Sequence, residues 1–157
     1  MGAGIIHVYK ASITDIPKEF RKRHFICKSS DDWVTLVDSF FTNLETQYYA
    51  LRLSEIIDKP VLSFASTDRK SYLQMCEAGR RIAYIYYNAY SVTRRKLQLM
   101  LDKLEIDQSE LKRLYRLLEC EDVLKLTRML EEFFGIPLIM DKQMYFDRGF
   151  KYRKIDY

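Results

Sequence analysis

The chain has 157 residues, 48% hydrophobic content and a formal net charge of +4. It is long enough to bury about two thirds of its unfolded surface, so one domain or two small ones can form without a metal or a disulfide. No stretch approaches the length of a transmembrane helix, and the apolar run at residues 5–8 is too short for a signal peptide.

The cysteines indicate the compartment. Cys27, Cys76 and Cys120 are odd in number, widely spaced and outside any CxxC pair. This usage is typical of proteins in a reducing interior rather than of secreted proteins. We therefore predict an intracellular protein that makes no contact with a membrane.

The first half of the chain is predicted to be rich in helix. Residues 5–9 and 24–27 alternate weakly and are predicted to be short strands, with a loop through Pro17 between them. Asp31 and Asp32 are predicted to cap a helix that ends at Lys59 and Pro60. Its apolar stripe would consist of Trp33, Val37, Phe40, Phe41, Leu44, Tyr48 and Leu51.

A short extended piece at residues 61–64 precedes a second predicted helix, which runs from Thr67 or Asp68 to Tyr90. Over residues 82–90 this helix has hardly any polar side, and a helix that is apolar all round is generally buried. Because tyrosine suits interfaces, we predict that Tyr84, Ile85 and Tyr86 contact a second subunit in a homodimer. Packing within the monomer and stacking of single-stranded bases on the tyrosines are the alternatives.

Three helices and a hairpin are predicted for the C-terminal part. Residues 94–104 have apolar side chains on one helical face, and Ser109 can cap a short second helix. A third helix at residues 122–134 stops at Gly135, which suits a left-handed C-terminal cap. The period then changes to two, which predicts a strand at 137–140 and a hairpin of 144–146 with 150–153.

This part resembles a known family. Residues 130–138, Leu-Glu-Glu-Phe-Phe-Gly-Ile-Pro-Leu, and residues 147–153, Asp-Arg-Gly-Phe-Lys-Tyr-Arg, resemble the recognition helix and wing of winged helix-turn-helix regulators related to the DeoR and BirA DNA-binding domains. The resemblance implies a mainly α fold with a small β part. Residues 1–92 would be a helix-rich N-terminal region with a candidate dimerisation element, and residues 93–157 would be the winged-helix domain.

The resemblance also implies a transcriptional regulator that binds double-stranded DNA. Lys125, Thr127 and Arg128 would then be the outward side chains of the recognition helix that reach base edges. Phosphate contacts would come from the first helix and the wing, through Arg94, Arg95, Arg148, Lys151 and Arg153. Clusters of basic residues at 80–96 and 142–154 also favour a polyanion as partner.

Two other functions fit the residues. Acidic side chains on the third helix would repel a DNA backbone and favour a protein-interaction module that keeps the winged-helix shape without binding DNA; they are Glu121, Asp122, Glu131 and Glu132. A metal-dependent nuclease is the third alternative, and its carboxylates would be Asp15, Asp31, Asp32 or Glu77.

Catalytic and metal-binding motifs are missing from the sequence. His7 and His24 are the only histidines, and each is interpreted as an ordinary strand or loop residue. The chain has no HExxH, no GxSxG, no glycine-rich phosphate loop and no zinc-ligand spacing. We therefore predict a protein that is not an enzyme and needs no cofactor or metal, and no small-molecule ligand is identified.

Overall fold

The computed structural model describes residues 3–37, 43–66, 71–86 and 93–138. Six strands form one antiparallel sheet in the spatial order β2-β3-β1-β4-β5-β6. Their bounds are β1 Ala3–Tyr9, β2 Phe25–Lys28, β3 Trp33–Val37, β4 Val61–Ser66, β5 Ser71–Glu77 and β6 Arg80–Tyr86. The first strand of the chain therefore lies in the middle of the sheet.

Helices cover both faces of this sheet. The helices are α1 Lys18–Arg23, α2 Asn43–Ile56, α3 Arg94–Lys103, α4 Leu111–Leu118 and α5 Val123–Phe134, with short 3-10 helices at Ile13–Asp15 and Gln108–Glu110. Side chains of α1 and α2 pack in one hydrophobic cluster with one face of the sheet, and those of α3 to α5 pack in a second cluster with the other face. The sheet is thus the middle of three layers.

Strand β1 shows how the two clusters are separated. Ile5 and Tyr9 point to the side of α3–α5, whereas Ile6 and Val8 point to the side of α1 and α2. This alternation follows from the period of two in a strand. Because both faces are covered, the central strands are buried on both sides and apolar almost throughout.

The prediction of a mainly α fold with a small β part was wrong. The described residues contain a six-stranded sheet. Of the two helices predicted for the first half of the chain, the described residues contain only α2. The physical reason is that a strand buried on both faces loses its polar-apolar alternation. A continuous apolar run then fits a buried strand as well as a buried helix.

The first misassigned run is Trp33–Val37. It forms strand β3, and all five of its residues are buried. Asp31 and Asp32 lie in the turn of the β2–β3 hairpin, where the Trp33 amide donates a hydrogen bond to the carbonyl of Ser30. They do not cap a helix. Of the predicted helix, the described part is α2, and its end before Lys59 and Pro60 is confirmed. Residues 38–42, which include the predicted stripe residues Phe40 and Phe41, lie outside the described residues.

The second misassigned run was predicted as one long helix from Thr67 or Asp68 to Tyr90. Its described residues form the hairpin of β5 and β6 instead. Ala78 and Gly79 make the turn with positive φ values of 51° and 71°, the conformation that a two-residue hairpin loop requires. Residues 67–70 and 87–92 lie outside the described residues.

The three helices predicted for the C-terminal part are confirmed as α3, α4 and α5. Asp122 caps α5, since its carboxylate accepts a hydrogen bond from the Lys125 amide at 3.0 Å. Gly135 ends α5 in the left-handed conformation with φ of 67°. The short second helix α4 begins at Leu111, with Glu110 rather than Ser109 at its N-cap position and no capping hydrogen bond from a side chain. Asp107 caps the preceding 3-10 helix, since its carboxylate accepts a hydrogen bond from the Ser109 amide at 2.7 Å.

The region after α5 is only partly described. Pro137 and Leu138 are buried but are not part of a strand. The rest of the predicted strand at 137–140, together with the predicted hairpin and wing, lies outside the described residues. The predicted strands at 5–9, 24–27 and 61–64 are confirmed as parts of β1, β2 and β4.

The division predicted between residues 92 and 93 falls between β6 and α3. Side chains from both sides of it share one hydrophobic cluster, in which Leu73 and Ile85 of the sheet pack with Leu97, Leu101 and Leu130 of the helices. The three helices are therefore held by the sheet as well as by one another.

Candidate functional site

The predicted base-reading residues lie on α5 but do not share one side of it. Lys125 and Arg128 are exposed, whereas Thr127 is buried and its hydroxyl donates a hydrogen bond to the Val123 carbonyl at 2.7 Å. Leu124, which the prediction did not single out, is 67% exposed beside them. The expected outward position of Thr127 was therefore wrong, because Thr127 lies on the side of α5 that packs toward the core.

The predicted phosphate-binding residues of the first helix are exposed. Arg94 and Arg95 occupy the first turn of α3, followed by the equally exposed Lys96. Thr93 caps the helix, and its side chain accepts a hydrogen bond from the Lys96 amide. The remaining predicted contacts, Arg148, Lys151 and Arg153, lie outside the described residues.

The charge of the three-helix segment is balanced. Residues 93–138 contain nine Lys or Arg and nine Asp or Glu residues. Of the acidic residues weighed against DNA binding, Glu121, Asp122 and Glu132 are exposed on α5 or directly before it. Glu131 instead holds the chain after α5, because its carboxylate accepts a hydrogen bond from the Leu138 amide at 2.9 Å.

A row of tyrosines lies on β5 and β6, at the edge of the sheet opposite β2 and on the face that α2 covers. Tyr72 of β5 is paired with Tyr86 of β6, and its ring centroid lies 4.9 Å from that of Tyr86 and 5.8 Å from that of Tyr84. All three side chains are half-buried. β6 is the outermost of the described strands on this side. We call these three residues the tyrosine row.

Arg81 extends the tyrosine row. Its guanidinium lies 4.5 Å from the centre of the Tyr84 ring and donates a hydrogen bond of 3.3 Å to the side-chain oxygen of Gln47 on α2. A guanidinium over an aromatic face is attracted by the ring quadrupole. Arg81 was predicted only as part of the basic cluster at 80–96, and Tyr72 was not singled out, although Tyr72, Gln74, Tyr84 and Tyr86 alternate with apolar residues at a period of two.

His7 joins the sheet to the end of the helical segment. Its ring is fully buried, with Nε2 2.6 Å from the Pro137 carbonyl oxygen and Nδ1 2.8 Å from the Thr35 hydroxyl. A carbonyl oxygen only accepts, so Nε2 carries the proton. The pKa of His7 is lowered from 6.5 to about 3, because burial removes the charged ring from water and this effect outweighs the hydrogen bond to Pro137, which raises the pKa. His7 is therefore a neutral structural residue.

The carboxylates weighed for a nuclease are dispersed over the structure. Asp15 accepts a hydrogen bond from the Ser12 amide, Asp31 and Asp32 lie in the β2–β3 turn, and Glu77 forms an ion pair of 2.8 Å with Lys103. Within the described parts of the chain, no group of three or more His, Cys, Asp or Glu residues is placed to hold a metal ion.

No family model, curated protein or solved structure matches this chain. Across the described ranges, none of the helices has both the length and the apolar character needed to cross a bilayer. All three cysteines are free thiols, and Cys27 and Cys76 are buried.

Proposed function

We propose that the chain is a non-catalytic, intracellular protein-interaction module that forms a homodimer through strand β6. The tyrosine row beside the outermost described strand carries this proposal. An edge strand presents backbone donors and acceptors to a second chain, and large aromatic side chains contribute much of the energy of protein interfaces. The balanced charge of residues 93–138 also favours a protein surface over a polyanion as partner.

The sequence of β6 is compatible with pairing to itself. In an antiparallel pair of β6 strands about a twofold axis at Tyr84, Ala83 of one copy lies opposite Ile85 of the other. A small residue then faces a large one on the side of α3–α5, and the Tyr84 rings of the two copies meet on the side of α2. In this register Arg80 and Arg81 of one copy do not lie opposite Arg80 or Arg81 of the other, so like charges are kept apart.

We expect Tyr84→Glu to convert the dimer to a folded monomer. In the paired strands the two carboxylates face each other across the axis, and like charges directly opposite in a sheet are unfavourable. Within one chain, the neighbouring Arg81 guanidinium can compensate the new charge. Light scattering at micromolar concentration measures the mass, and circular dichroism checks the fold.

Tyr84→Phe is the matched control, since it keeps the ring and is expected to leave the dimer intact. Tyr48→Glu places the same charge on the exposed face of α2, away from β6, and is also expected to remain dimeric. A wild-type monomer, or a Tyr84→Glu variant with the mass of a dimer, would rule out the proposed interface.

A second candidate function is binding of double-stranded DNA. The first turn of α3 favours it, because Arg94, Arg95 and Lys96 are consecutive and exposed. These side chains would contact phosphates, and Lys125 and Arg128 on α5 would be the described residues available for base edges. The predicted contacts of Arg148, Lys151 and Arg153 belong to the same proposal.

For DNA binding, the expected result is an affinity for pooled random duplexes that falls steeply with salt. About six phosphate contacts imply a loss on the order of a thousandfold between 50 and 200 mM salt. Replacing Arg94 and Arg95 together by Ala is expected to reduce the slope of log K against log salt by about two. A mobility-shift series on both proteins measures it, and absence of binding at low salt would leave only the protein-interaction module.

A further inference from the structure

A cleft of about 270 Å³ opens between α1 and α2, on the face of the sheet opposite α3–α5. Its lining consists of Glu19, Phe20, His24, Tyr48, Tyr49 and Arg52. Small-molecule sites in proteins range from about 300 to 1,000 Å³, so this cleft lies just below the usual range. It suits a ligand of the size of one amino acid.

The floor of the cleft is aromatic. Phe20 and His24 are almost fully buried, and the Tyr49 ring lies 6.1 Å from the Phe20 ring and 5.3 Å from the His24 ring, each at a steep angle. Tyr48 continues this series, with its ring 5.3 Å from that of Tyr49. Rings held edge to face in this way offer a lining that suits a planar apolar group.

Opposite charges stand at the rim. The Arg52 guanidinium lies 3.3 Å from a Glu19 carboxylate oxygen and donates a second hydrogen bond of 3.4 Å to the Tyr48 hydroxyl. Both charged side chains are about half exposed, at 47% and 49%. An exposed ion pair contributes little to stability, so a ligand can separate it at small cost.

We propose that this cleft binds a free α-amino acid with an aromatic side chain. The ligand carboxylate forms a bidentate ion pair with the Arg52 guanidinium, and the ligand ammonium pairs with the Glu19 carboxylate. The ligand ring packs against Phe20 and Tyr49. A ligand with a carboxylate alone would displace Glu19 and leave it unpaired. A zwitterion replaces one ion pair by two, which is why the rim favours it.

Isothermal titration calorimetry on the full chain tests this site with four probes. L-Phenylalanine is expected to bind, whereas 3-phenylpropionate, 2-phenylethylamine and L-alanine lack the ammonium, the carboxylate and the ring respectively. Each of them is expected to bind about tenfold more weakly or worse, because each leaves a charged or apolar group of the cleft without its partner. Equal affinity for all four, or no saturable binding of L-phenylalanine, would overturn the proposal.

Two substitutions assign the charges. Arg52→Gln is expected to weaken L-phenylalanine about tenfold but not 2-phenylethylamine, whose ammonium no longer competes with Arg52 for Glu19. Glu19→Gln is expected to weaken L-phenylalanine but not 3-phenylpropionate, whose carboxylate no longer competes with Glu19 for Arg52. Arg113→Gln is the matched control. It breaks the exposed Glu110–Arg113 ion pair, whose nitrogen–oxygen distance is 3.2 Å and whose residues do not line the cleft. If that control weakens binding as much as Arg52→Gln, the cleft is not the site.

Discussion

Lowering the pH from 7 to 4.5 is expected to reduce the free energy of unfolding by about 2 to 3 kcal/mol through His7 alone. The His7 pKa is about 3 in the folded chain and 6.5 for a free side chain. The unfolded chain therefore takes up the proton first, and stability that is complete above pH 6.5 is lost as the pH falls toward 3. Urea unfolding at a series of pH values measures this slope.

His7→Gln is the control for this effect. Glutamine retains a donor for the Pro137 carbonyl but does not titrate, so the slope between pH 6.5 and 4.5 should become nearly flat, whatever the loss of stability at pH 7. Three acidic groups, Asp15, Glu105 and Asp107, have a lowered pKa in the folded chain. Their pKa values in the unfolded chain already lie near or below the lower end of this pH window, so they contribute little to the slope. A slope that persists in His7→Gln would assign the acid sensitivity to another group.

Ile85→Asp is expected to unfold the chain. Ile85 is 2% exposed and packs in the cluster between the sheet and α3–α5. Removing a large buried aliphatic side chain costs about 2 to 5 kcal/mol, and the uncompensated carboxylate adds its own desolvation penalty. Together these costs approach the whole stability of a typical domain, about 5 to 15 kcal/mol. Circular dichroism and urea unfolding measure the loss.

This outcome separates two views of β6. If residues 82–90 were a helix at a subunit interface, as predicted from the sequence, Ile85→Asp would give a folded monomer. In the structure Ile85 points into the core, and only its neighbours Tyr84 and Tyr86 lie on the other side of the sheet. Tyr84→Glu beside Ile85→Asp is therefore the decisive comparison: the first is expected to fold and the second is not.

The sequence alone was sufficient to predict the helices α3, α4 and α5. Their signals are local: apolar residues at helical spacing, an Asp122 side chain within reach of an amide three residues on, and Gly135 free to adopt positive φ. The turn of the β5–β6 hairpin has a local signal as well. That signal is Gly79 between two runs rich in apolar residues; Ala78, which also has positive φ, is not a residue typical of a two-residue hairpin loop.

Tertiary structure decided the rest. Trp33–Val37 carries no period of its own, because covering both faces of a sheet removes the need for polar residues on either side. In β6 the half-buried tyrosines alternate with Ala83 and Ile85, but tyrosine is itself largely apolar, so this alternation is a weak signal. The side on which Thr127 lies depends on where α5 packs. The cleft joins α1 to α2, and His7 meets Pro137 across 130 residues of sequence. Local propensity carries no information about contacts between distant residues, so only the packed sheet could define these sites.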